Sequence, residues 1–398
     1  MTLDALDIRR DLDPSIQRTF EQSLIRNAPR LLHRLTEQCT LHSAQIELAQ
    51  SLRLARNLER LACASPAGRQ NPAGTVYTFL PRNNLLYSIA LYCLIPLSLG
   101  LPVQARTPAA LSGLVTELWQ LTGLDRFDSA RLRDESQRDF TSRSSSEDVL
   151  IFTGRSENGR RVEAQTAHRA FIGFGSSLNP AIVMPGADLE KACDDLVFAR
   201  LYNSGADCLA PDSIFVHASV YAEFHERLTA RLTLLDVADR RSAGTIAHAP
   251  SPDMRTATQG REFLSRMTDR TTWSGPDFDA PDFVPTTVTT SDLDEATHVE
   301  LFSPVFNIVT FSSWERLLAT FGSEPYRGSE MYLSLYGEAG GPLPDAYRLC
   351  ASSTPFHHEA ALRPFGGYGA DATWLTIDGT TTGRPVSVFH TLRSELCA

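Results

Sequence analysis

The chain reads as an α/β fold built on parallel sheets, and three observations lead there. Short runs such as Val149-Leu150-Ile151-Phe152 and Ser213-Ile214-Phe215-Val216 are continuous and apolar, the pattern of strands covered on both faces. They alternate with longer segments whose apolar residues recur at helical spacing. The 398 residues suffice for two domains and a sizeable core.

Taken in order, Ala44 to Ala64 has a helical pattern with arginines on its outer face. Residues 65–74 are rich in Pro, Gly and polar residues and read as a turn. A strand follows at Thr75 to Leu80, and the region near 65–80 is a candidate hairpin. Leu85 to Val103 is almost wholly apolar, which raises a membrane span. Pro96, Gly100 and Pro102 break that stretch, so a buried helix of about 14 residues explains it better. Ala109 to Leu121 is another helix, and the polar, serine-rich Asp134 to Asp148 a solvated loop. Val149 to Phe152 is a buried strand. Asp188 to Tyr202 is amphipathic and helical, stopped near Gly205. Ser213 to Val216 is a strand, and Pro250 to Pro285 reads as loop-rich, with a Ser-Gly-Pro-Asp turn at residues 274–277. Val386 to His390 is the last expected strand, an edge that a second copy would cover.

Net charge is −10 and the isoelectric point about 5.5, which argues against a nucleic-acid footprint. Seven cysteines are scattered without paired spacing, and Met1-Thr2-Leu3-Asp4 lacks the basic and apolar regions of a leader. Both fit a reducing cytoplasm. There is a single lysine, Lys191. His357-His358-Glu359 lacks metal-ligand spacing and reads as a polar loop.

The chemistry centres on Asn203-Ser204-Gly205-Ala206-Asp207-Cys208. A lone cysteine just past a helix end, on a loop entering a strand, is well mounted as a nucleophile. An ordinary small buried cysteine is the plain alternative.

Motifs around it favour the nucleophile. Phe152-Thr153-Gly154, Asn179-Pro180-Ala181-Ile182-Val183 with Ala187-Asp188-Leu189, Asn203 to Cys208 with Ala210-Pro211, and Glu300-Leu301-Phe302-Ser303-Pro304 occur in that order. Phe283-Val284-Pro285-Thr286 and Pro364-Phe365-Gly366-Gly367 continue the set. Together they resemble the aldehyde dehydrogenase superfamily over most of residues 75–370. The resemblance implies a Rossmann-like cofactor domain (residues 1–175), a catalytic domain (176–370) and a C-terminal oligomerisation strand (371–398). It implies Cys208 as the nucleophile and Asn83 as the oxyanion donor, with Asn84 one register away. It places Glu300, Phe302, Arg106, Thr153 and Gly154 at the cofactor, NAD or NADP. A helix cap is the other use for Asn83, and an exposed loop position the other for Glu300.

Three departures matter. Gly173-Phe174-Gly175-Ser176-Ser177 stands where the family carries its hydrolytic glutamate. Arg131-Leu132-Arg133-Asp134-Glu135-Ser136 occupies the place of a glycine-rich phosphate turn. Arg106-Thr107-Pro108-Ala109 replaces the lysine and glutamate of the usual segment. Losing the glutamate while keeping Cys208 points to interconversion of an acyl thioester and an aldehyde, since no water need be deprotonated. Expected partners are an aldehyde or an acyl thioester of coenzyme A or a carrier protein, and a second or further copy of the chain as homodimer or homotetramer. Neither nucleic acid nor a membrane is expected. The alternatives are ordinary aldehyde oxidation and a degenerate, non-catalytic relative.

Overall fold

The computed structural model describes residues 14–64, 74–242 and 246–396. Two seven-stranded sheets organise them. The first holds β1 (Val76–Phe79), β2 (Val103–Arg106), β3 (Ala130–Arg133), β4 (Val149–Thr153) and β5 (Ala170–Phe174), all parallel. The second holds β6 (Pro180–Val183), β7 (Ser213–His217), β8 (Thr271–Ser274), β9 (Thr287–Asp292), β10 (Val305–Phe311), β11 (Tyr332–Tyr336) and β12 (Arg348–Ala351), parallel except for β8 on β9. The chain then returns to the first sheet as an antiparallel hairpin, β13 (Thr373–Ile377) and β14 (Thr380–Gly383). The orders are β14-β13-β5-β4-β1-β2-β3 and β12-β11-β6-β7-β10-β9-β8.

The continuous apolar runs have the predicted cause. Alternate residues of one strand enter different cores. In the first sheet Val76, Val103, Ala105, Val149, Ile151 and Ile172 face one core. Tyr77, Phe79, Leu150, Phe152 and Phe171 face another, closed by Trp374. In the second sheet Ile214 and Val216 join a core with the helix Leu189–Leu201, while Phe215 packs opposite, with Phe321. The buried stretch after β1 is helical from Leu85 to Ser98, with a π-turn at Ala90–Leu94. Among the described residues no helix is long and apolar enough to cross a membrane.

Four segments differ from expectation. Val76–Phe79 is the central strand of a parallel sheet and not an arm of a hairpin; residues 65–73 lie outside the described residues. Within 134–148 a short helix, Gln137–Thr141, is capped by Ser136 and buries Phe140 completely. Within 250–285 the helix Met254–Arg266 forms because the Asp253 carboxylate accepts from Thr256 N (2.9 Å) and because Ala257, Gly260 and Phe263 make one buried stripe. Finally, Val386–His390 is not a strand: only Val386 bridges, to Phe365, and Val388–His390 is helical. Ser387 Oγ accepts from His390 N (3.3 Å), and Val388, Phe389, Leu392 and Leu396 join the first core at helical spacing.

Candidate active site

A cavity of about 1020 Å³ lies where the two sheets' loops meet. Phe79 to Arg82, Arg106 and Phe152 to Arg155 line it, so it opens at the C-terminal ends of β1, β2 and β4. β1 leads outward to β2 and β3 on one side, with β4 and β5 on the other. Open α/β sheets bind ligands at such a switch point. Cys208, Asn83, Glu300, Phe302, Arg106, Thr153 and Gly154 all line this one cavity.

The cysteine loop is built from unusual backbone. The helix ends at Leu201, and Asn203 (φ 50°), Ser204 (φ 55°) and Gly205 (φ 80°) are all left-handed. Only glycine adopts that region cheaply. Here it is also forced by space: a Cβ on Gly205 would sit 2.3 Å from the Ser303 carbonyl oxygen. The three residues reverse the chain so that Ala206, Asp207 and Cys208 face the cavity.

A buried scaffold holds the turn. Arg200, 1% exposed, donates to the carbonyls of Gly205 (2.9 Å), Pro211 (3.0 Å) and Leu301 (2.6 Å). Asp212 lies 3.9 Å from it and accepts from Leu301 N (2.7 Å) and Asn179 N (3.0 Å). The Asn179 amide in turn donates to the Cys208 carbonyl (2.6 Å) and accepts from Tyr332 N (3.0 Å). This one network ties the nucleophile loop to the Glu300-Leu301-Phe302 loop. Burial outweighs the guanidinium and pushes the Asp212 carboxyl up to about 7.

The two asparagines have separate contacts. Asn83 Nδ2 donates to the Ala206 carbonyl (3.3 Å). Asn84, left-handed at φ 50°, donates from Nδ2 to Asp207 Oδ2 (3.0 Å). Neither side chain caps the helix that begins at Leu85; Glu47 Oε2 accepts from Leu86 N (3.0 Å) and Tyr87 N (3.4 Å) instead. The cap reading of Asn83 is thereby replaced.

Electrostatically the thiol is held protonated. Burial pushes the Cys208 thiol well up; Asp207, Glu300 and Glu359 add to this, and only its own backbone N–H opposes them. Glu300 accepts from Ser177 N (3.3 Å), and its carboxyl is raised to about 8 by burial and by Asp212. Arg106 Nε donates to the Glu135 carbonyl (3.0 Å), which turns it along the end of β2. The Ser303 hydroxyl, 1% exposed and lining the cavity, has no hydrogen-bond partner among the described residues.

Sequence reading passed over four contributors. Arg200 and Asp212 gave no signal beyond being charges beside apolar positions. Asp207 was legible only as a charge directly before the lone cysteine. Glu359 was taken for part of a solvated loop. His357 and His358 are indeed exposed, but Glu359 turns inward. Among the described residues no three His, Cys, Asp or Glu are grouped as metal ligands.

Three comparisons add to the geometry. A model of the aldehyde dehydrogenase family matches residues 133–330. The chain is 26% identical over 180 residues to a 4,4′-diapolycopene-4,4′-dial dehydrogenase of Cytobacillus firmus, covering 44% of this chain and 38% of that one. It is 34% identical over 101 residues to a putative aldehyde dehydrogenase, AldY, of Bacillus subtilis (strain 168), covering 25% and 21%. These matches thus span well under half of either relative. In fold, the chain resembles a glyceraldehyde-3-phosphate dehydrogenase, GapN, of Methanocaldococcus jannaschii complexed with NADP. There the TM-score is 0.76 at 16% identity, covering 93% of this chain and 89% of that one.

Proposed function

Because the chain belongs to the aldehyde dehydrogenase superfamily, we propose that it is an NAD(P)-dependent oxidoreductase interconverting an acyl thioester and an aldehyde through Cys208. One observation supports the reading above the others. Cys208, Asn83 and Glu300 line a single cavity, while residues 173–177 bring no carboxylate to it.

The residues fit the dinucleotide. The cavity reaches the strand ends that bind nucleotides in such sheets, and the Ser303 hydroxyl and Glu300 carboxyl offer it polar contacts. Glu300 would hold ribose hydroxyls, Arg106 the far ribose or its phosphate, and Thr153-Gly154 the face between them. A hydride acceptor, or a donor in reverse, is the chemistry that NAD or NADP supplies when bound.

The chain's own residues do the rest. Cys208 gives its proton to solvent and its sulfur bonds to the carbonyl carbon, while the carbonyl π-pair moves to oxygen. The Asn83 amide, now on the Ala206 carbonyl 3.3 Å away, turns to that oxygen together with the Cys208 N–H. Asn179 fixes the Cys208 carbonyl, so the loop cannot drift as the bond forms. Once the adduct's carbon has given up its hydride and is a thioester, an incoming thiol attacks the acyl carbon, its proton passes to the sulfur of Cys208, and the C–S bond to Cys208 breaks with its electron pair on that sulfur. No step needs a base to activate water.

The test is oxidation of NADH and NADPH by the full chain with an acyl-coenzyme A, followed by absorbance, and the reverse reaction with an aldehyde with and without free coenzyme A. Turnover that requires the thiol supports the reading. Aldehyde oxidation at the same rate without thiol means hydrolysis. Failure of both nucleotides to bind would leave the non-catalytic alternative.

A further inference from the structure

The wall around Glu359 has a chemistry of its own. Gln50 Nε2 donates to Glu359 Oε2 (2.7 Å), and the Tyr87 hydroxyl is its second donor. None of the groups that shift this carboxyl is a cation. Burial raises it to about 7, and the charge of Asp207 adds to that. Beside it three rings cluster: Tyr202 on Phe356 at 5.0 Å between centroids, Phe198 on Phe356 at 5.6 Å, and Phe198 on Tyr202 at 5.9 Å. All of these residues line the cavity that holds Cys208. The arginines Arg82, Arg155, Arg255, Arg266 and Arg363 also line it, but each is exposed.

A carboxylate held out of water without a cation is costly. Aromatic faces attract cations and tolerate them away from water. Both features line the one cavity that holds Cys208. We propose that the wall of Gln50, Tyr87, Phe198, Tyr202, Phe356 and Glu359 binds a cationic substituent of the substrate, so that the substrate class is an aldehyde or acyl group bearing an ammonium. This rests on the reading of the cavity as an aldehyde site, and it adds what the far end of the substrate must be. The carboxylate supplies the counter-charge, and the rings supply a dry wall that a hydrated anion would avoid.

The experiment separates the two claims. Binding of tetramethylammonium and of its neutral isostere tert-butanol to the full chain is measured by calorimetry, with no reaction involved. In parallel, KM and kcat are measured for a trimethylammonium-terminated aldehyde and for its tert-butyl isostere of equal length. The wild type should prefer the cation by about tenfold in both assays. Glu359→Gln should remove most of that preference by raising KM for the cationic aldehyde alone. Phe356→Leu, which keeps the charge, should remove a smaller part. Equal binding of cation and isostere by the wild type overturns the proposal. So does a fall in kcat for both aldehydes alike in Glu359→Gln, the mark of a proton-transferring role. Cation binding that depends on Glu359 without turnover of either aldehyde would keep the cation site and sink the oxidoreductase reading.

Discussion

At Cys208 the structure sets a condition on reactivity. A thiol raised by burial and by three carboxylates is mostly protonated near neutrality. Alkylation of the ligand-free protein should therefore be slow and should accelerate as pH rises beyond the ordinary thiol range. Mass spectrometry of Cys208 after iodoacetamide treatment at a series of pH values measures this; rapid modification at neutral pH would contradict it. Cys208→Ala should abolish turnover. Asn83→Ala should lower kcat by about 10²–10³-fold with little effect on cofactor affinity, as expected for one oxyanion donor. The resemblance put Asn83 ahead of Asn84 by register alone, since adjacent identical side chains differ only in direction. Asn84 spends its amide on Asp207, and Asn83 holds a long bond to a backbone carbonyl that a stronger acceptor can displace.

Among the elements, the left-handed turn Asn203-Ser204-Gly205 and its Arg200–Asp212 scaffold are the most exacting. Gly205→Ala meets both a positive φ and the Ser303 carbonyl. It should cost more than about 1 kcal/mol and reduce turnover by displacing Cys208. Asp212→Ala would leave the buried N–H groups of Leu301 and Asn179 without their acceptor and should cost about 1–3 kcal/mol for each in urea denaturation. The strands β1, β4 and β7 were legible because burial on two faces leaves no polar alternation to misread. The helix Met254–Arg266 was not, because its buried stripe consists of Ala257, Gly260 and Phe263, two of them too small to register as hydrophobic. The C-terminal segment misled for the opposite reason. Val386-Ser387-Val388 alternates like a strand, but Ser387 caps a helix whose apolar spacing emerges only further on, at Leu392 and Leu396. The Arg200 network was illegible in principle, since its partners are the backbone carbonyls of Gly205, Pro211 and Leu301, which no side-chain pattern marks.

For the molecule as a whole, buried carboxyls govern the pH response. Glu47, 2% exposed, is raised to about 7 and Asp212, 4% exposed, likewise to about 7. Both folded-state values lie above the unfolded ones, so the native state keeps protons that the unfolded chain has released. Their stabilising contribution is complete below the unfolded values, near 4 to 4.5, and is lost as pH rises through about 7. The urea midpoint should thus fall between about pH 4 and pH 7, by an amount of order 3 kcal/mol for each group. Glu47→Gln should flatten that fall; an unchanged pH profile would remove Glu47 from the account. The return of β13 and β14 to the first sheet bears on synthesis. β5, buried along its whole length, pairs on one side with β4 and on the other with β13. A ribosome makes β5 some two hundred residues before β13. Throughout that interval the nascent sheet carries an open apolar edge, exposed to other chains and to whatever shields them.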